Sequence, residues 1–174
     1  ALVESGRSSL ELRLRLGDAA ATSEAIKLLD NDKAPAAERI AVARILGEVK
    51  APESLQPLLK VAVSAANAEL QRAALTAASA FTDPAIGARL LKESSTFSEE
   101  VRPAFFDVML SRVEWTRQLV EGMESGGIAP TVIPADVADQ LRRHPDPSVA
   151  SLARQHLGEG DGLVAGHVLQ QEKA

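Results

Sequence analysis

Few residues in this chain could do chemistry, and their spacing narrows what that chemistry could be. The first is Trp115, the only tryptophan, within "LSRVEWTRQLVEGMESGGIAP" (110–130), in a chain with no tyrosine and four phenylalanines. An indole face can stack on a base or a ring ligand. It can equally fill a gap between helices, where its N–H needs only one partner. Trp115 follows the apolar run Phe105, Phe106, Val108, Met109 and Leu110 at the start of a helical pattern, and reads as such a peg. His144, His156 and His167 lie 12 and 11 residues apart on three segments. Without an i, i+4 pair they do not form a metal triad. His144 ends a predicted helix, where its side chain can bond the last free carbonyls. Arg142, Arg143 and Arg154 make a small basic cluster that could meet phosphates or an acidic partner, or bond helix ends. Asp18, Asp30, Asp32, Glu99 and Glu100 fall at predicted helix ends and read as caps. "GEGDG" (158–162) lacks the spaced ligands of a calcium loop. No Gly-rich phosphate loop, Gly-x-Ser-x-Gly elbow or His-Glu-x-x-His pair occurs. The absence of cysteine excludes disulfides, thiolate metal sites and thiol nucleophiles. The expectation is a chain without its own catalytic site, cofactor or metal.

Composition points the same way. With 174 residues, 45 % apolar and 25 % charged, the chain can build one sizeable core. Alanine and leucine favour helix. Only 3 % of residues are aromatic, which disfavours an all-β sandwich. The formal charge of −5 requires any nucleic-acid binding to rest on a local basic face. No stretch approaches the ~18–20 apolar residues of a membrane span. The chain opens on Ala1, and the expectation is a piece excised from a longer polypeptide.

The elements that must position these residues are marked by helix punctuation. Asp83 followed by Pro84, and Asp146 followed by Pro147, each place an N-cap carboxylate before a first-turn proline. Gly158 suits the end of the second of these helices. Ser98 with Glu99 and Glu100 is a further N-terminal signature. These signals predict helices at 8–16, 19–30, 35–49, 52–65, 68–81, 84–94, 98–112, 114–125, 134–144 and 147–157. "LELRLRLG" alternates with period two and could be a strand, but nothing nearby offers it a partner, and helix is preferred. Pro57 should kink its helix or mark a late start.

A repeat follows. Sliding residues 35–64 onto 67–96, an offset of 32, places Pro52 on Pro84, Val49 on Phe81, and Leu58 and Leu59 on Leu90 and Leu91. A third copy begins near Ser98 and degrades around Trp115. In 35–49, Val42, Ile45, Leu46 and Val49 form one apolar stripe, and Ile40, Ala43 and Gly47 a second. A helix with two buried faces belongs inside a stack. In 68–81, Glu69, Arg72, Thr76 and Ser79 leave a single polar stripe for solvent. Units of about 30–40 residues built from helix pairs predict an α-solenoid. The pattern, with Pro57 in the first helix of a pair, resembles HEAT repeats.

From Ser98 to Gly158 the resemblance narrows. "LSR" followed by Trp115, a Gly127–Ile128 turn, a helix ending "LRRH" and a last helix opening on "DP" resemble the helical segment of the large membrane-bound dehydrogenase-like proteins of planctomycetes. The likeness is fullest over about the last third of the chain. It implies a parent in which a β-propeller precedes HEAT-like repeats and a c-type cytochrome follows; neither the propeller nor a Cys-x-x-Cys-His haem motif lies in this chain. It also implies an exported parent, with haem c as its cofactor.

The expected fold is therefore all-α, a HEAT- or armadillo-like right-handed α-solenoid of about four to five helix pairs. It would occupy 1–158, with 159–174 a linker or tail toward a further domain. The expected role is a non-catalytic scaffold, a rigid spacer inside a redox-type multidomain protein, with neighbouring domains or another protein as partner. The rival is a nucleic-acid-contacting HEAT-like module, which needs a continuous basic groove. A small-molecule enzyme would need a deep polar pocket that no motif calls for.

Overall fold

A computed structural model describes residues 10–160. All regular structure among them is helical. The helices are α1 (described part 10–15), α2 (Ala19–Asp30), α3 (Ala36–Val49), α4 (Leu55–Ser64), α5 (Ala68–Ser79), α6 (Ala85–Lys92), α7 (Arg102–Leu110), α8 (Val113–Glu124), α9 (Ala135–Arg142) and α10 (Pro147–Leu157). The all-α expectation holds over this span. The expected first residues of α1, the tail beyond residue 160 and His167 lie outside the described residues.

The period-two run at the start is helical. Leu10 and Leu14, four apart, are buried, while Leu12 and Leu16 are exposed at 59 % and 76 %. The alternation is thus two helical i, i+4 pairs on opposite faces.

Two helices that carry a proline in their first turn start later than predicted. The predicted helix at 52–65 opens as a single 3-10 turn, Pro52–Ser54, and α4 begins only at Leu55. Pro57 therefore sits in the first turn, where its missing N–H costs no helical bond, and the late-start reading of Pro57 is the one realised. The helix predicted from residue 98 starts at Arg102, with Pro103 in its first turn. A start at 98 would have put that ring in the helix interior. Residues 98–101 form a turn instead, and the Ser98 carbonyl accepts from Val101 and Arg102 N–H at 3.0 and 2.9 Å. At α9 the helix runs Ala135–Arg142, shorter at both ends than expected.

Three of the predicted caps, Asp18, Asp83 and Asp146, are formed. Asp30, Asp32 and Glu100 pair with Lys60, Arg39 and Arg72 instead. The α7 helix starts after Val101 without a side-chain cap from Ser98 or Glu99. The Asp83 carboxylate accepts the Ala85 N–H at 2.8 Å, with Pro84 as the residue before α6. Asp146 accepts the Ser148 N–H at 2.9 Å, with Pro147 opening α10. Gly158 closes α10 with φ +73°, a conformation that a side chain would disfavour. Asp18 caps α2, accepting from Ala20 and Ala21 N–H.

Packing follows the apolar stripes. Consecutive helices pair as α2/α3, α4/α5, α7/α8 and α9/α10. Helices two apart also lie side by side: α3/α5, α5/α7, α2/α4, α6/α8 and α8/α10. One hydrophobic core runs from Leu10 in α1 to Ala153 in α10. On α3, Ile40, Ala43 and Gly47 are buried together with Val42 and Leu46, so both predicted faces are covered. Gly47 meets α5 so closely that an added Cβ would lie 2.7 Å from the Ala77 Cα. In α7, Phe105 lies between Phe97 and Phe106, its ring tilted against both, with centroids 5.3 and 5.1 Å away.

Candidate functional site

Trp115 is 0 % exposed. It projects from the first turn of α8 onto α6, where Gly87 leaves space for it. A Cβ on Gly87 would come within 2.7 Å of the indole Cδ1 and would also strike the Gln118 side chain. The arrangement is reciprocal: Gly122 of α8 lies against Leu91 of α6. The Arg112 guanidinium stands 5.1 Å from the indole ring centroid, in cation–π range. Its Nη2 donates to the Ser79 carbonyl, capping the end of α5. Gln118 Nε2 donates to the Pro84 carbonyl. Both faces of the indole are enclosed by protein, so it offers no platform to a ligand. The sequence singled out Trp115 but missed Gly87, Arg112 and Gln118. The available signal was Gly87 itself, a helix-weakening residue inside a short helix.

The arginine cluster is drawn together, but two of its members bond helix ends. Arg142, on α9, donates through Nη2 to the Leu157 carbonyl at 2.7 Å and through Nε to the Gly158 carbonyl at 2.8 Å. Its Nη1 pairs with Asp139 at 2.7 Å. Arg154, on α10, donates to the Arg142 carbonyl at 2.8 Å. Each helix thus supplies the arginine that caps its partner's C-terminus, where free carbonyls and the helix dipole favour a cation. Arg143 is exposed and lines an open groove with Asp136, Asp139, Gln140 and His144.

His144 departs from expectation. Its ring bonds no helix carbonyl; Nδ1 accepts the Asp146 N–H at 3.1 Å, joining the end of α9 to the cap of α10. The reason is geometric: the chain turns through Pro145 at once, bringing the Asp146 amide to the ring. His156 lies in the last turn of α10, its Nε2 buried without a hydrogen-bond partner. The two histidines serve different contacts. Among the described residues no group of three His, Asp or Glu side chains is placed to hold a metal ion.

Asp146 links α8 to the start of α10. Arg117 of α8 donates to its second carboxylate oxygen at 2.8 Å. That bond first, and the Ser148 amide next, hold its pKa below the usual carboxylate value. Asp18 is lowered in the same way, first by Arg13 and then by the Ala21 amide.

An open groove of about 620 Å³ lies over α3 and α5. Its floor is Gly47, Ala73, Thr76, Ala77 and Ala80, and its rim carries Arg44, Glu48, Glu69 and Arg72. The rim charges are of both signs and engaged. Arg15 reaches Glu48 at 2.7 Å, Arg44 lies 3.9 Å from Glu69, and Arg72 reaches Glu100 at 2.9 Å. These pairs tie α1 to α3, α3 to α5, and α5 to the turn before α7.

What fold and site define is an all-helical protein in which the notable polar side chains hold helices to one another. No family model, no curated protein and no solved structure matches the chain at a significant level.

Proposed function

We propose that this chain is a non-catalytic scaffold: a HEAT- or armadillo-like right-handed α-solenoid acting as a rigid spacer and docking surface within a larger, redox-type polypeptide. The observation that supports this reading is the side-by-side packing of helices two apart in sequence, α3 on α5 and α6 on α8 among them. Units that touch mainly their neighbours build a structure whose length grows with their number. Its mechanism is geometric, holding flanking domains at a set separation. The sequence resemblance would place a β-propeller on one side and a c-type cytochrome on the other, so that haem belongs to the parent. A nucleic-acid module finds no favouring observation here, because the groove rim mixes both charges and Arg142 and Arg154 bond helix ends.

The absence of cysteine makes the test clean. Spin labels on Ser23→Cys in α2 and Ser151→Cys in α10, both exposed positions, should give one narrow distance distribution by double electron–electron resonance. A broad distribution would sink the spacer. A Cys-x-x-Cys-His motif encoded downstream in the parent reading frame would support the redox setting.

A further inference from the structure

The short segment after α10 carries two glycines, Gly158 and Gly160, both with positive φ, at +73° and +81°. Such a pair reads as a loose hinge, but the structure gives it a holder. Arg142 donates to the Leu157 and Gly158 carbonyls through two different nitrogens. Two bonds from one planar guanidinium fix orientation as well as distance. The third guanidinium nitrogen, Nη1, is fixed by Asp139 on the same helix. The chain then folds back along the side chain, and a Cβ on Gly160 would sit 3.3 Å from Arg142 Nη1. Glycine at 158 allows the turn, and glycine at 160 allows backbone to pass close to the guanidinium. The base of the holder is fixed too, since the Arg142 carbonyl accepts from Arg154 of α10.

We propose that Arg142 is a positioning residue that clamps the exit of the chain from α10, setting the direction in which the polypeptide leaves the helical body. Ordinary C-capping of α10 requires one bond to an end carbonyl. Here the side chain comes from another helix, takes two successive carbonyls and is packed by the residue two further on. The inference rests on the spacer reading and deepens it: a spacer sets an angle as well as a separation only if its exit is held.

The test is order at residues 158–160, read by backbone ¹⁵N relaxation and by the label pair Ser23→Cys and Glu159→Cys. In the unsubstituted chain the amide order parameters at Glu159 and Gly160 should stay near ~0.85, the value of rigid backbone. Arg142→Gln should drop them below ~0.6 and broaden the distance distribution to residue 159, while α9 and α10 keep their order, because Arg154 still bonds the residue 142 carbonyl. Arg142→Lys should behave like Arg142→Gln, since one ammonium cannot hold two carbonyls in a fixed plane. Rescue by lysine would reduce the clamp to simple charge at a helix end and overturn the proposal. So would residues 158–160 that are already flexible in the unsubstituted chain, a measurement that needs no variant to fold. A narrow Ser23–Ser151 distribution with an unaltered Ser23–Glu159 one in Arg142→Gln would reject the clamp and leave the spacer standing. A broad Ser23–Ser151 distribution would reject the spacer itself.

Discussion

Trp115 depends on what Gly87 lacks. Replacing Gly87 with alanine would relieve the helix of glycine's penalty, worth up to ~1 kcal/mol. It would also drive a methyl group to 2.7 Å from an indole carbon. Gln118 can swing aside, but the fully enclosed indole cannot. Overpacking typically costs about 1–3 kcal/mol, so Gly87→Ala should lower stability by roughly 1 kcal/mol in urea titration. Trp115→Ala should cost more, about 3–5 kcal/mol, because it empties the space altogether. With no other tryptophan, emission reports this site alone. The folded protein should emit at short wavelength and resist acrylamide quenching; a red-shifted, easily quenched signal would contradict the burial. The sequence pointed to Trp115 as a peg because of its apolar lead-in. It concealed the partner, since no local pattern joins positions 87 and 115.

Helix ends carry the next set of expectations. Lys50 closes α3 with φ +54°, the one non-glycine residue with positive φ among those described. A side chain there is strained, and Lys50→Gly should stabilise the fold by roughly 0.5–1 kcal/mol, seen as a higher urea midpoint at unchanged slope. The caps Asp18 and Asp146 respond to pH. Both carboxylates are lowered in the folded state, so the stability they contribute is complete above the unfolded carboxylate value, near ~4. It is lost as pH falls through their lower folded values. The melting temperature should therefore drop on acidification below about pH 4, and Asp146→Asn should flatten that limb. Asparagine keeps the cap acceptor but removes the charge facing Arg117. Asp83–Pro84 and Asp146–Pro147 were legible because capping is local chemistry. The start of α7 was misread because the acidic signature at 98–100 outweighed Pro103, and proline in a first turn is the stronger constraint. The cross-capping by Arg142 and Arg154 was illegible in detail. Their acceptors are backbone carbonyls, which every residue has, so no residue type marks the pairing.

At the scale of the molecule, the helical class followed from composition and period, and of the two helix matches made by the 32-residue offset, α3 with α5 is a closely packed pair while α4 with α6 is not. Leu58 and Leu90, matched by that offset, are both fully buried. The ion pairs Arg15–Glu48, Arg44–Glu69 and Arg72–Glu100 were not anticipated, because surface partners are set by rotamers and spacing between helices. With these cations paired and the net charge at −5, the protein should not retard single- or double-stranded DNA in a gel at about 0.15 M salt. Retention that weakens steeply with added salt would revive the nucleic-acid reading. The near-contact of Gly47 with Ala77 has its own consequence at this scale. Where two helices already touch backbone to backbone, one extra methyl acts as a shim in a joint. It would push α3, and the α2 that packs on it, away from α5, so a substitution at this seam should be read by where the far end moves as much as by melting temperature.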